Sequence, residues 1–289
     1  PDARAALARA KEVAETSQEP VPTWTLAYLT GQANEANGFL DEAIANYREV
    51  LATRIPDRKL DFSRDYDVNN ALGLALYNRA RLEDRDSPDR ATFLDDAIRT
   101  WRRTLALDSE NVSAHYGLGL AYADRARGAT DAPPAGPGAE VEPTLEGVRA
   151  LADALADAKV GASVRGPQAA ALGGKVTEAL KQPRAPFSNR LDTLYEVVAK
   201  VGPVYEKETD PAIRAHLARG LAATHRALHA MLRPDETAEG RAVAIARRNN
   251  PAADLNAQSV VIHSLHRPGA PGLESTTSRL ARRAGEDAK

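Results

Sequence analysis

FLDEAIANYREVLA, residues 39–52, returns at residues 93–106 as FLDDAIRTWRRTLA. Eight of the fourteen positions are identical: Phe39/Phe93, Leu40/Leu94, Asp41/Asp95, Ala43/Ala97, Ile44/Ile98, Arg48/Arg102, Leu51/Leu105 and Ala52/Ala106. Tyr47 gives way to Trp101, another large aromatic. Leu40, Ala43, Ile44, Tyr47 and Leu51 recur at steps of three and four, the spacing of one apolar helical face. Glu42, Asn46, Arg48 and Glu49 fall largely outside that stripe. One amphipathic helix cannot bury its face alone, so a duplicated one implies stacked partners.

Composition agrees with many packed helices. The chain has 289 residues, 43% apolar and 27% charged, but only 5% aromatic, an Ala-rich balance that suits helices better than a β-sandwich. A net charge of −2 makes no electrostatic case for nucleic acid, which needs a concentrated basic face. No apolar run of about 18 residues is present to span a membrane. With no cysteine, this chain has no disulfide, thiolate nucleophile, zinc–thiolate site or C-x-x-C-H haem attachment. It opens on Pro1, as a processed, trimmed or internal start does, and no signal segment is visible.

Each copy has a candidate partner helix upstream. NALGLALY (70–77) precedes the second copy, YGLGLAYA (116–123) follows it, and Gly31, Gly73 and Gly119 mark places where a neighbouring helix approaches closely. Here the chain resembles the tetratricopeptide repeat (TPR) family, whose unit is a pair of helices, A and B, about 34 residues long. Leu118, Gly119 and Tyr122 match its helix A. Ala43, Tyr47 and Val50 match its helix B, as do Ala97, Trp101 and Thr104. The 54-residue offset between copies exceeds that period by about 20. Gly31 to Ala43 spans 12 residues and Gly73 to Ala97 spans 24, so 12 of the excess lie inside the second unit. The rest lie near PDRKLDFSRDYD (56–67). Ser87-Pro88 reads as an N-cap followed by Pro at the first helical position. Lengthened helices and longer turns with the repeat intact are therefore expected.

The expected fold is all-α: a TPR-like superhelix of antiparallel helix pairs over 1–126, a Pro/Gly-rich linker or loop over 127–143, a more degenerate helical region over 144–266 and an extended tail over 267–289. Helices are placed at 144–160, 168–181, 188–208, 211–232, 235–249 and 252–265. Asp210-Pro211 is a helix start, and Pro203 is expected to kink its helix. AHLARGLAA (215–223) aligns with AHYGLGLAY (114–122) at five of nine positions and reads as helix A of a further unit, with 238–251 as its helix B.

Chemistry-bearing patterns are sparse. His225 and His229 share a helix face, but residue 226 is Arg where H-E-x-x-H requires Glu, and packing is the preferred reading. His115 and His216 occupy equivalent places in two A helices, where the family has bulky packing residues. His263 and His266 sit near the end of the last expected helix, placed to meet a partner. The Asp-rich stretches 61–67 and 82–90 lack the EF-hand pattern, so capping and solvation account for them. Neither a phosphate loop nor G-x-S-x-G is present. No catalytic residue, metal site or cofactor is assigned.

Stacked units curve into a superhelix with the A helices on its concave side. The register places Tyr28, Gln32, Asn70, Leu74, Tyr77, Tyr116, Leu120 and Asp124 in that groove as the candidate partner-binding residues. Aromatic, aliphatic and amide groups together suit a peptide or protein element; the groove has no Lys to grip a terminal carboxylate. Residues 235–271 are also similar to the C-terminal region of bacterial proteins that join a multihaem cytochrome c domain to TPR repeats. That resemblance implies a haem-free structural subunit or partner of an exported multihaem cytochrome assembly or filament. It favours a periplasmic or extracellular location, with self-assembly a further option. The alternatives are a cytoplasmic peptide-binding TPR adaptor for complex assembly and, more remotely, an enzyme with an unrecognised helical active site. All-α repeat architecture serves many roles, so fold alone does not choose between them.

Overall fold

Both copies of the repeated stretch are helices, and each packs on the helix just before it. The computed structural model describes residues 8–9, 12–13, 22–127, 141–181 and 185–233. Within these, α1 spans Thr23–Ala36, α2 Leu40–Ala52, α3 Tyr66–Leu82, α4 Pro88–Leu107 and α5 Val112–Arg125. Leu40, Ala43, Ile44, Tyr47 and Leu51 of α2 are all buried, as are Leu94, Ala97, Ile98 and Trp101 of α4. Full burial of each large side chain stabilises by about 1.5–3 kcal/mol.

Short turns make neighbours antiparallel. After α1, Gly38 takes φ +79°, the left-handed conformation that glycine adopts without steric cost. Its N–H donates to Glu35 O at 3.0 Å and Phe39 N–H to Asn34 O at 2.9 Å. This Schellman closure satisfies the helix-end carbonyls and turns the chain straight into α2. Gly31 then lies under the Tyr47 ring, where an added Cβ would sit 2.7 Å from Cε1. Gly73 meets Trp101 in the same way, at 2.6 Å.

The extra residues of the second unit lengthen helices and a turn, as expected. Gly73 lies nine residues before the end of α3, whereas Gly31 lies five before the end of α1; Ala97 lies nine residues into α4, whereas Ala43 lies three into α2. The turn grows from 37–39 to 83–87. Ser87 Oγ accepts the Asp89 N–H at 3.1 Å, and Pro88 opens α4. Between units, β1 (Arg54–Ile55) and β2 (Leu60–Asp61) form a small antiparallel hairpin, closed by left-handed Lys59 and an Arg54–Asp61 ion pair of 2.8 Å.

The repeat extends to contacts between units. Asp41 pairs with Arg79 at 2.8 Å, and its counterpart Asp95 pairs with Arg125 at 3.1 Å. Arg79 and Arg125 each lie six residues beyond the repeat glycine, Gly73 and Gly119. So α5 meets α4 at the same repeat positions by which α3 meets α2.

The later helices are α6 (Leu145–Ala156), α7 (Ala162–Leu180), α8 (Phe187–Lys207) and α9 (Pro211–Leu232). Among the described residues the chain is all-α: nine α-helices, two three-residue 3-10 turns and one pair of two-residue strands. Asp210 caps α9, its carboxylate accepting from Ala212 and Ile213 N–H. Helix α7 starts six residues earlier than the sequence suggests and runs through Pro167; α8 likewise continues through Pro203. Helix α6 packs on α7 and α8, and α9 packs on the same two, giving a closed ring of four.

Helix α9 also packs along α5, so the similar stretches 114–122 and 215–223 lie on helices in contact; the helix B placed at 238–251 lies outside the described residues. Gly119 faces the Arg226 side chain, with Cγ 3.1 Å from an added Cβ, as Gly31 faces Tyr47. A helix distant in sequence thus covers Gly119 of α5. The described residues up to Arg233 fall within one compact unit. Most of the Pro/Gly-rich stretch, the helices placed at 235–249 and 252–265, His263, His266, the tail and the cytochrome-like segment 235–271 lie outside the described residues.

Candidate binding face

The eight residues assigned to the groove separate into two sets. Leu74 and Tyr116 are 44% and 53% exposed on α3 and α5, helices that touch each other directly. Gln32 on α1 is exposed, and its Nε2 donates to the hydroxyl of half-buried Tyr28 at 3.1 Å. Leu120 is half-buried on α5. Asn70 links the units, donating through Nδ2 to Oδ1 of Asn111 at 3.0 Å; that same oxygen caps α5 through the Ala114 N–H. Tyr116 is braced by His229, with ring centroids 5.2 Å apart, and His229 Nδ1–H donates to Val112 O at 3.2 Å.

Tyr77 and Asp124 do not belong to an accessible groove. Both are buried, at 7% and 8% exposure. Burial and the adjacent Asp124 carboxylate hold the Tyr77 hydroxyl above its ordinary pKa. Arg90, carried on the extra first turns of α4, pairs with Asp124 at 3.1 Å and donates to Ala80 O at 3.2 Å. One guanidinium therefore closes the end of α3 and ties it to α5. Neither the spacing nor the residue types revealed that role, because Arg90 falls in the inserted residues.

Two further residues escaped the sequence reading. Gly117 of α5 also lies against Trp101, so glycines of both α3 and α5 meet the indole. Asp95 gathers Arg125, Arg214 at 3.4 Å and the Tyr205 hydroxyl at 3.5 Å, joining α4 and α5 to α8 and α9. Tyr205 meets Tyr122 edge-on at 5.1 Å.

His225 and His229 do not act as a pair. His225 points at His115, with Nδ1 to Nδ1 2.9 Å, and both rings are 1% exposed. His115 Nε2 lies 3.0 Å from Ser109 O, so that nitrogen carries a proton. Its Nδ1 then offers a lone pair, which the Nδ1–H of His225 fills. Protonating both rings would set two N–H groups face to face. Burial first, then His115 and Arg102, hold His225 well below the ordinary histidine pKa. Burial and His229 lower His115 more than the Ser109 carbonyl and Asp108 raise it. Tyr122 stacks on His225 at 5.6 Å. This is a neutral, buried junction between α5 and α9. No cluster of three or more metal-ligating side chains occurs among the described residues, and no helix there is long and apolar enough to cross a membrane.

No protein-family model matches the chain, and neither the curated proteins nor the solved structures contain a match to it.

Proposed function

We propose that α1–α5 form a superhelix of the tetratricopeptide type and that the protein is a non-catalytic scaffold. It binds a polypeptide partner along the accessible side of α1, α3 and α5. The observation that carries this reading is the matched pair of inter-unit contacts, Asp41–Arg79 and Asp95–Arg125, which stacks A helices in register. That stacking sets Leu74 and Tyr116 on adjoining helices with large exposed apolar area. Burying such anchors on a partner contributes about 1.5–3 kcal/mol each, and aromatic anchors dominate interface energetics.

The test is photocrosslinking in the source cells. A benzoylphenylalanine is placed at position 74 or 116, with position 99 as control; Arg99 is exposed on α4, a B helix. A single protein adduct from positions 74 and 116, absent from 99, supports the reading. Adducts of equal yield from all three positions, or none from 74 and 116, contradict it.

A further inference from the structure

Arginines converge on a cleft of about 780 Å³ between α5, α7 and α9. Arg85 reaches it from the lengthened α3–α4 turn, Arg127 from the end of α5, and Arg219 and Arg226 from α9. The one carboxylate of the lining, Glu178, is engaged by Lys181 at 2.7 Å. Across the whole chain acidic residues outnumber Lys and Arg by 40 to 38, so this concentration is local. Most arginines of the fold are paired within it. Arg127 holds Asp124 at 2.5 Å, whereas Arg85 and Arg226 are exposed and make no ion pair among the described residues.

The wall opposite these charges is low. Gly173 and Gly174 sit mid-way along α7, where each glycine costs about 1 kcal/mol of helix stability relative to alanine. Packing accounts for Gly173, whose added Cβ would sit 3.4 Å from Arg219 O. It does not account for Gly174, where an added Cβ would meet nothing within 4 Å. What the missing side chain keeps open is the cleft that both glycines line. In the two neighbouring cavities Arg125 and Arg214 are paired with Asp95 and Arg90 with Asp124, so the unneutralised charge is centred on this cleft.

We infer that this cleft is a second binding site and that it takes a carboxylate-rich polypeptide segment of a partner. Guanidinium groups engage carboxylates through two parallel hydrogen bonds. Glycine and alanine surfaces on α7 and α9 let a main chain lie close. A cleft of this volume, with arginines reaching it from three segments of its wall, suits a length of chain better than a compact anion. No aromatic side chain lines the cleft to stack a nucleobase, which disfavours single-stranded nucleic acid. The site does not include Leu74 or Tyr116, so either site fails or succeeds without the other.

The test is fluorescence anisotropy on the full chain with a labelled octaglutamate peptide at low and moderate salt, with octaglutamine as control. Octaglutamate is expected to bind, octaglutamine not, and the affinity to fall with salt. The double variant Arg85→Gln/Arg226→Gln is expected to weaken binding by at least about tenfold. Both side chains are exposed and unpaired, so folding is retained. Gly174→Leu puts a side chain into the cleft from a position whose added Cβ meets nothing within 4 Å, and is expected to weaken binding to a similar degree. Leu74→Arg is expected to leave it unchanged. Equal binding of octaglutamine, or octaglutamate binding that neither cleft variant alters, overturns the proposal. So does no binding of octaglutamate. Pyrophosphate that binds the cleft where octaglutamate does not makes it a small-anion site, and tighter binding of an eight-nucleotide oligothymidylate makes it a nucleic-acid site; either result replaces the proposal.

Discussion

Lowering the pH from 7.5 to 5.5 should loosen the junction between α5 and α9, by an amount the His115–His225 pair fixes. Both rings are buried and neutral in the fold, and both have pKa values below the ordinary 6.5. The unfolded chain therefore binds protons on these side chains at a higher pH than the folded chain does. Their contribution to stability is complete above about pH 6.5 and is lost as pH falls below it toward the folded-state values. A ring that stays wholly neutral in the fold at pH 5.5 forfeits about 1.4 kcal/mol, so about 3 kcal/mol is the ceiling for the pair. The groups facing them are Asp108 and the Ser109 carbonyl, which favour a proton on His115, and His229 and Arg102, which oppose protonation of the pair. His216 is also buried with a lowered pKa, so the pair must be separated from it. The double variant His115→Leu/His225→Leu does this. It removes both partners of one hydrogen bond, and Ser109 O keeps the Tyr195 hydroxyl as a donor at 3.1 Å. Urea unfolding followed by circular dichroism at pH 7.5, 6.5 and 5.5 reads the difference. The parent should lose more than the variant across that range, by up to about 3 kcal/mol. Equal pH dependence in the two proteins refutes the neutral-pair reasoning.

Three other outcomes are expected. Gly117→Ala drives a methyl into the Trp101 indole and should cost about 1–3 kcal/mol in a denaturant titration, as should Gly73→Ala. Asp124→Ala strands the largely buried Arg90 guanidinium and should cost about 3 kcal/mol; Arg90→Met/Asp124→Leu should recover much of it. Gly174→Ala relieves a mid-helix glycine with free space around it and should raise stability by about 0.4–1 kcal/mol.

What the sequence disclosed was local. The stripe Leu40, Ala43, Ile44, Tyr47, Leu51 needed only the 3.6-residue period, and Gly31 and Gly73 needed only their distance from Tyr47 and Trp101. Capping at Ser87 and Asp210 is likewise written in adjacent residues. Tyr77 and Asp124 were placed in the groove by register alone; the inserted turns of α4 bring Arg90 onto Asp124, and Tyr77 lies against Trp101 and the same carboxylate. Gly117 was missed because its partner, Trp101, belongs to the preceding unit. The docking of α9 on α5 joins segments about a hundred residues apart, which no short-range pattern records. Arg85, Arg127, Arg219 and Arg226 are ordinary surface arginines in sequence and become a cleft only when α5, α7 and α9 converge.

The most direct test of the scaffold reading takes the protein that crosslinks from position 74 or 116 and measures its affinity for this chain by calorimetry. Leu74→Arg/Tyr116→Ala removes both exposed anchors and leaves the buried core untouched. The expected result is a loss of at least about a hundredfold in affinity at unchanged thermal stability. Binding within about threefold of the parent would mean that the exposed side of α3 and α5 is not where the partner sits, and the scaffold reading would fall.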